Sequence, residues 1–208
     1  MNICVDFTAV RISDIKDIIV STAAVVTATV AIIGLYKWKA ELTGKANFEA
    51  SKELIKKVYK LRNEIGYCRS PGILGNEFPE GYMLFGTNSG DTEGRAWAHV
   101  YDNRWKGVRE ALIEYDTACL EAEALWGKEI KASEQQLMSV VRRLRAAIDA
   151  TIQNYFSEGE NFKSDKNFEN KMRSTVSSSL DENDGFANDL DNAVSAIEEI
   201  IKPHLKRK

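Results

Sequence analysis

Histidine, proline and cysteine are all scarce in this chain. Its two histidines in 208 residues, His99 and His204, leave no room for a histidine-rich metal centre. Neither has a glutamate three residues before it, so the Glu-x-x-His pairs of di-iron bundles are missing. The three cysteines, Cys4, Cys68 and Cys119, are odd in number and far apart, which argues against a disulfide framework or a CxxC knuckle and fits reduced thiols. Of the three prolines, Pro71 and Pro79 lie together and Pro203 lies near the far end, so long stretches have no breaker. The segment Gly72 to Gly75 has neither the spacing nor the lysine and hydroxyl residue of a Walker motif. The acids Asp181, Glu182, Asp184, Asp189 and Asp191 lack the spacing of an EF-hand loop and read as helix-start acids. A net charge of -3 suggests neither a nucleic-acid platform nor an acidic tail. No catalytic motif stands out; a non-enzymatic chain with no cofactor, metal or nucleic-acid partner is the expectation.

What the chain does have is an apolar run. Ile18 to Leu35 is 18 residues without a charge, closed by Tyr36, Lys37, Trp38 and Lys39. As a helix it extends roughly 27 Å, against a hydrocarbon core of about 30 Å. Aromatic and lysine residues crowd its end as interfacial anchors do. The preceding residues carry Asp6, Asp14 and Asp17 beside Arg11 and Lys16, and no small-residue cleavage site follows, so an uncleaved anchor is expected in place of a signal peptide. The expected organisation is a short segment 1–17, a transmembrane helix 18–38 and a domain 39–208. Lys37, Lys39, Lys45 and Lys52 outnumber Arg11 and Lys16, which puts the C-terminal domain in the cytoplasm and the N-terminus outside.

Within the run, Ala23, Thr27, Ala31 and Gly34 fall on one helical face. Small residues let helix backbones approach closely in lipid, so homo-oligomerisation through this face is expected. Ser21, Thr22, Thr27 and Thr29 also permit a pore-lining helix, the basis of the alternative in which clustered spans perturb or permeabilise the bilayer.

The rest predicts an all-α fold, an antiparallel bundle of about four long helices with one long loop insertion. Leu54, Val58, Leu61 and Ile65 mark a first amphipathic helix, with Gly44 the weak point between it and the span. Tyr101, Trp105, Val108, Leu112, Tyr115, Cys119, Ala122 and Trp126 alternate steps of four and three, a coiled-coil-type seam widened by Ala111, Ala118 and Leu125. A capping box at Ser133 and Gln136 predicts the start of a third helix with Leu137, Val141, Leu144, Ile148, Thr151 and Tyr155 inward. Its Arg142, Arg143 and Arg145 are expected to pair with acids such as Glu110, Glu114 or Glu121. In a polar connector, 157–184, Phe162, Phe168, Met172, Val176 and Leu180 at roughly helical steps permit a short, loosely docked helix; a last helix then carries Phe186, Leu190, Ala193, Val194, Ile197 and Ile201 inward and is expected to end at Pro203.

The loop insertion, 66–95, is punctuated by Pro71, Gly72, Gly75, Pro79, Gly81, Gly86 and Gly90. Long loops of this kind are usually functional. Aromatic residues in a glycine-rich loop suit recognition, so Arg69, Phe78, Tyr82 and Phe85 are the expected contacts for a cytoplasmic protein or small ligand.

Several segments are distinctive as a set: Leu35-Tyr36-Lys37-Trp38-Lys39-Ala40-Glu41-Leu42-Thr43-Gly44, Val58-Tyr59-Lys60-Leu61-Arg62-Asn63, and the run from Ala96 to Trp105 with its Trp97, His99, Tyr101 and Arg104. The run from Leu120 to Gly127 and the closing Pro203-His204-Leu205 complete it. With these the chain resembles a widespread set of bacterial proteins that have one N-terminal membrane helix and a helical cytoplasmic domain. The resemblance implies a bacterial source, membrane lipid as a partner and a place in the inner membrane; it implies no activity. The expected function is a membrane-anchored, self-associating interaction or scaffold module.

Overall fold

In a computed structural model, residues 12–82, 88–179 and 184–205 are described, with side chains from Ile15 onward. All regular structure among them is helical: α1 (Ile12–Cys68), α2 (Gly90–Trp126), α3 (Glu129–Phe156), α4 (Glu160–Lys163), α5 (Lys166–Val176) and α6 (Gly185–Leu205), with a 3₁₀ turn at Gly75–Glu77. The fold is an all-α bundle with one long apolar N-terminal helix. The chain divides into two units, Met1–Ala46 and Asn47–Lys208, so the boundary falls later than the end of the anchor motif at Trp38.

In the first unit every residue from Ile15 to Ala46 is exposed, including Ile18, Ile19, Val25, Val26, Ile32, Ile33 and Leu35. An 18-residue window of α1 has a mean hydropathy of 2.4 and none of it is buried; it is long and apolar enough to cross a membrane. Gly44 does not interrupt α1. The hydroxyls of Thr22, Thr27 and Thr29 donate back to the carbonyls of Ile18, Ala23 and Val25, each at 2.8 Å.

The second unit is built on the period-3.6 stripes. Leu54, Val58, Leu61 and Ile65 of α1, the α2 seam, Leu137, Val141, Leu144 and Ile148 of α3 and all six inward residues of α6 enter or pack against one core, while Thr151 and Tyr155 are half-buried outside it. α2 and α3 form an antiparallel hairpin, and α6 and α5 pack on α3. Lys57 and Lys60 of α1 reach the Glu114 carboxylate of α2 at 3.1 and 2.7 Å, and Tyr59 donates to Glu198 of α6 at 2.8 Å. Phe156 lies directly against the backbone of Gly94, where a Cβ would collide with its ring, so glycine permits the close approach of α2 to the end of α3.

Three boundaries differ from expectation. The loop is shorter than 66–95, because α1 continues to Cys68 and Ser89 caps α2, its hydroxyl accepting from the Thr92 amide. Ser133 is no cap: α2 ends on Gly127, at φ 69°, α3 starts at Glu129, and Ser133 is buried inside it. Pro203 lies within α6, one turn from its end, where proline removes a single hydrogen bond and its fixed φ remains helical. The polar connector holds α4 and α5, the latter capped by Asp165. Leu125 is also exposed, outside the core.

Tyr115 is completely buried, and its hydroxyl has no hydrogen-bond partner beyond the weak one offered by the neighbouring Cys119 thiol. Burial pushes that thiol up to about 12. A buried hydroxyl without a good partner carries its full desolvation cost. Tyr115→Phe should therefore leave thermal stability unchanged or raise it, by up to about 1 kcal/mol, whereas Leu61→Ala should cost about 2–5 kcal/mol. Denaturation curves of both variants check this.

Candidate functional site

The loop that the sequence singles out is held at its start by two buried arginines. Arg69, 3% exposed, follows the last turn of α1. Its Nε donates to the Thr175 carbonyl at 2.8 Å, and its Nη2 to the carbonyls of Ser174 and Ser177 and to both carboxylate oxygens of Asp184, at 3.0 and 2.9 Å. These carbonyls belong to the C-terminal end of α5, where unsatisfied acceptors concentrate, so a cation suits the position. The Arg69 carbonyl in turn accepts from the Ser178 amide at 2.8 Å. Its guanidinium also lies over the Phe186 ring of α6, 4.3 Å from the centroid.

Arg104 makes the second clasp. From α2 its Nε and Nη2 grip the Glu77 carboxylate at 2.6 and 2.9 Å, while Nη1 and Nη2 donate to the carbonyls of Ser70 and Gly72. The Arg104 bond, against some desolvation, holds the Glu77 carboxyl below its usual range. For Asp184, burial acts upward and is outweighed by the Ala187 and Ser179 amides and by Arg69, so its carboxyl also lies low. Cys68, beside these arginines, is pushed up to about 11 by burial.

Farther along, Phe78 is buried at 9% exposure in a second apolar cluster with Ala96 and Val100. It stacks on Tyr82 at 4.6 Å and meets Trp97 edge-on; Trp97 stacks flat on Tyr155 at 4.5 Å. The Glu93 carboxylate receives the Tyr82 hydroxyl at 2.9 Å, the Trp97 indole at 3.2 Å and the Asn88 amide at 2.9 Å. Burial and that carboxylate push the Tyr82 phenol up to about 12.

Three of the four loop residues chosen from sequence, Arg69, Phe78 and Tyr82, are therefore not freely exposed contacts. Arg69 is committed to internal acceptors, Phe78 is core, Tyr82 is partly covered, and Phe85 lies outside the described residues. Among the described residues of this region, the large apolar side chains that are exposed are Tyr67 and Leu74. Two arginines of the basic patch of α3 are paired, but with other acids than expected: Arg143 meets Asp189 at 2.7 Å, and Arg145 meets Asp149 and Asp102. In the first unit, Ala23, Thr27, Ala31 and Gly34 are exposed, with open space around the Gly34 Cα, and so are Tyr36, Lys37, Trp38 and Lys39. Among the described residues no group of three histidine, cysteine or acidic side chains could hold a metal ion.

Glu77 and Glu93 were not singled out in the sequence, Arg104 stood out only within the run from Ala96 to Trp105, and Asp184 only among the helix-start acids. Only Asp184 had a local signal, as an acid just before a helix. No family model, no curated protein and no solved structure matches this chain.

Removing one member of a buried pair strands the other. Asp184→Asn should destabilise by about 3–5 kcal/mol. Because the Asp184 carboxyl is lowered, its contribution is present above the unfolded value of 3.8 and is lost as pH falls through the folded value. Chemical denaturation at pH 7 and at pH 3 should show the gap between wild type and Asp184→Asn closing on acidification; a constant gap would contradict this assignment.

Proposed function

We propose that this chain is a single-pass, membrane-anchored helical interaction module of the bacterial inner membrane, with its N-terminus outside and its bundle in the cytoplasm. The observation that carries this reading is the apolar run from Ile18 to Leu35, helical throughout with no residue of it buried by the rest of the protein. Such a surface is costly in water and favourable in lipid. Lys37 and Lys39 beside Tyr36 and Trp38 support the interfacial position, and the lysine excess beyond the run supports the orientation.

Self-association through Ala23, Thr27, Ala31 and Gly34 belongs to the same proposal, and the open backbone at Gly34 suits it. The threonine hydroxyls, satisfied within their own helix, favour an anchor over a pore lining. The module's role is binding without catalysis, and Tyr67, exposed in the last turn of α1, and Leu74, exposed on the clasped part of the loop, replace Phe78 and Tyr82 as the contacts for a protein or small ligand.

In membrane fractions the chain should resist alkaline carbonate extraction. Val26→Arg with Val30→Arg adds about 2.5–3.5 kcal/mol per charge to insertion and should shift the chain to the soluble fraction. A wild-type chain extracted as readily as the double variant would end the anchor reading.

A further inference from the structure

α2 and α3 run side by side in opposite directions, tied near one end by Glu123 and Lys131 at 3.1 Å and near the other by Asp102 and Arg145 at 3.6 Å. Between the ties, Arg109, Ile113, Asp116 and Leu120 follow at steps of four, three and four and so share one side of α2. Glu134, Met138 and Arg142 follow at steps of four on the adjoining side of α3. By the register of the ties, Arg109 stands level with Arg142, Ile113 with Met138, and Asp116 with Glu134, each within one helical turn. Ile113 and Leu120 are 63% and 68% exposed. Arg109 and Arg142 are exposed, Asp116 and Glu134 are half-buried, and none of the four has a hydrogen bond or ion pair with a described residue. Burial holds the Asp116 carboxyl above its usual range; burial, and then the charge of Asp116, do the same for Glu134. Two unpaired cations, an apolar centre and two unpaired acids therefore succeed one another along this face. Glu110 and Glu121 lie toward the other side of α2, the side that carries Glu114 to Lys57 and Lys60 of α1.

We propose that this α2–α3 face binds the same face of a second copy of the chain, in an antiparallel, two-fold arrangement. A two-fold axis crossing both helices at right angles, level with Ile113 and Met138, sets Arg109 against Asp116 of the second copy and Arg142 against its Glu134. Symmetry forms each of these pairs twice. Ile113 meets Ile113 and Met138 meets Met138 at the axis, and Leu120 falls on the methylene stem of Lys106. An axis parallel to the helices instead lays α2 on α3 at equal height and brings Arg109 to Arg142 and Asp116 to Glu134, like charge to like. The order of charges thus selects both the occupant and its direction: a copy of the chain carries the complementary order by construction, and like-charge contact disfavours the alternative. The face belongs to the second unit alone, so the inference goes beyond the anchor reading and does not rest on it.

The test uses the full chain in mild detergent with Cys4→Ser and Ser139→Cys, an exposed position next to the axis; Cys68 and Cys119 are buried and escape labelling. A short bis-maleimide should then give a covalent dimer. Arg109→Glu with Arg142→Glu makes the face acidic, and Asp116→Lys with Glu134→Lys makes it basic. Either double variant alone should lose about tenfold or more in dimer yield. Mixing the two, one of them carrying a size tag, should restore the crosslink as a mixed dimer, which also shows that both variants fold. No dimer from the unaltered face, equal yield from the charge-reversed chains, or a mixture that stays monomeric would overturn the proposal. Gly34→Cys in place of Ser139→Cys reads the span contact separately. Its crosslink should be the same in every charge variant, and its absence counts against span association and leaves the α2–α3 contact standing.

Discussion

A buried guanidinium must have its donors met, and Arg69 meets them by drawing three elements together. Its acceptors are the terminal carbonyls of α5 and the carboxylate that precedes α6, while its own backbone continues α1. A charge left unpaired there would cost several kcal/mol, so the end of α5, the start of α6 and the departure of the loop are settled in one arrangement. Arg104 repeats the device from α2, using the carbonyls of Ser70 and Gly72 and the Glu77 carboxylate. Between them the first part of the loop is fastened at both sides. Phe78 then closes it from beneath.

That constraint changes what the loop can do. A glycine- and proline-rich segment with aromatics suggested a recognition surface, yet among its described residues Arg69, Phe78 and Tyr82 are engaged with the bundle. The Glu93 carboxylate alone collects Tyr82, Trp97 and Asn88. Among the described residues from 66 to 95, the large apolar side chains left exposed are Tyr67, at the end of α1, and Leu74. The second unit buries its apolar stripes in one core, while no residue from Ile18 to Leu35 is buried. An anchor and a self-sufficient domain on one chain are the basis of the proposed function.

The helices were legible because their apolar residues repeat at helical spacing: every inward residue expected in α1 and α6 is buried, and the α2 seam lies in or against the core. Periodicity does not report polar groups whose partners are more than a hundred residues away. Arg69 and Asp184 have no local pattern linking them, and an arginine in a loop looks exposed until the chain folds around it. Local motifs also misled. Ser133 and Gln136 match a capping box, but the turn is made one helical turn earlier by Gly127, whose positive φ only glycine adopts readily. Pro203 reads as a stop, yet one turn from the end of a helix its cost is small enough for α6 to continue.

The central claim is that Ile18 to Leu35 crosses the bilayer once and leaves the bundle on the cytoplasmic side. Protease treatment of sealed vesicles of each orientation measures this directly. In inside-out inner-membrane vesicles the bundle should be digested, and in right-side-out vesicles it should survive until detergent is added. Digestion of the bundle in intact right-side-out vesicles would contradict the account.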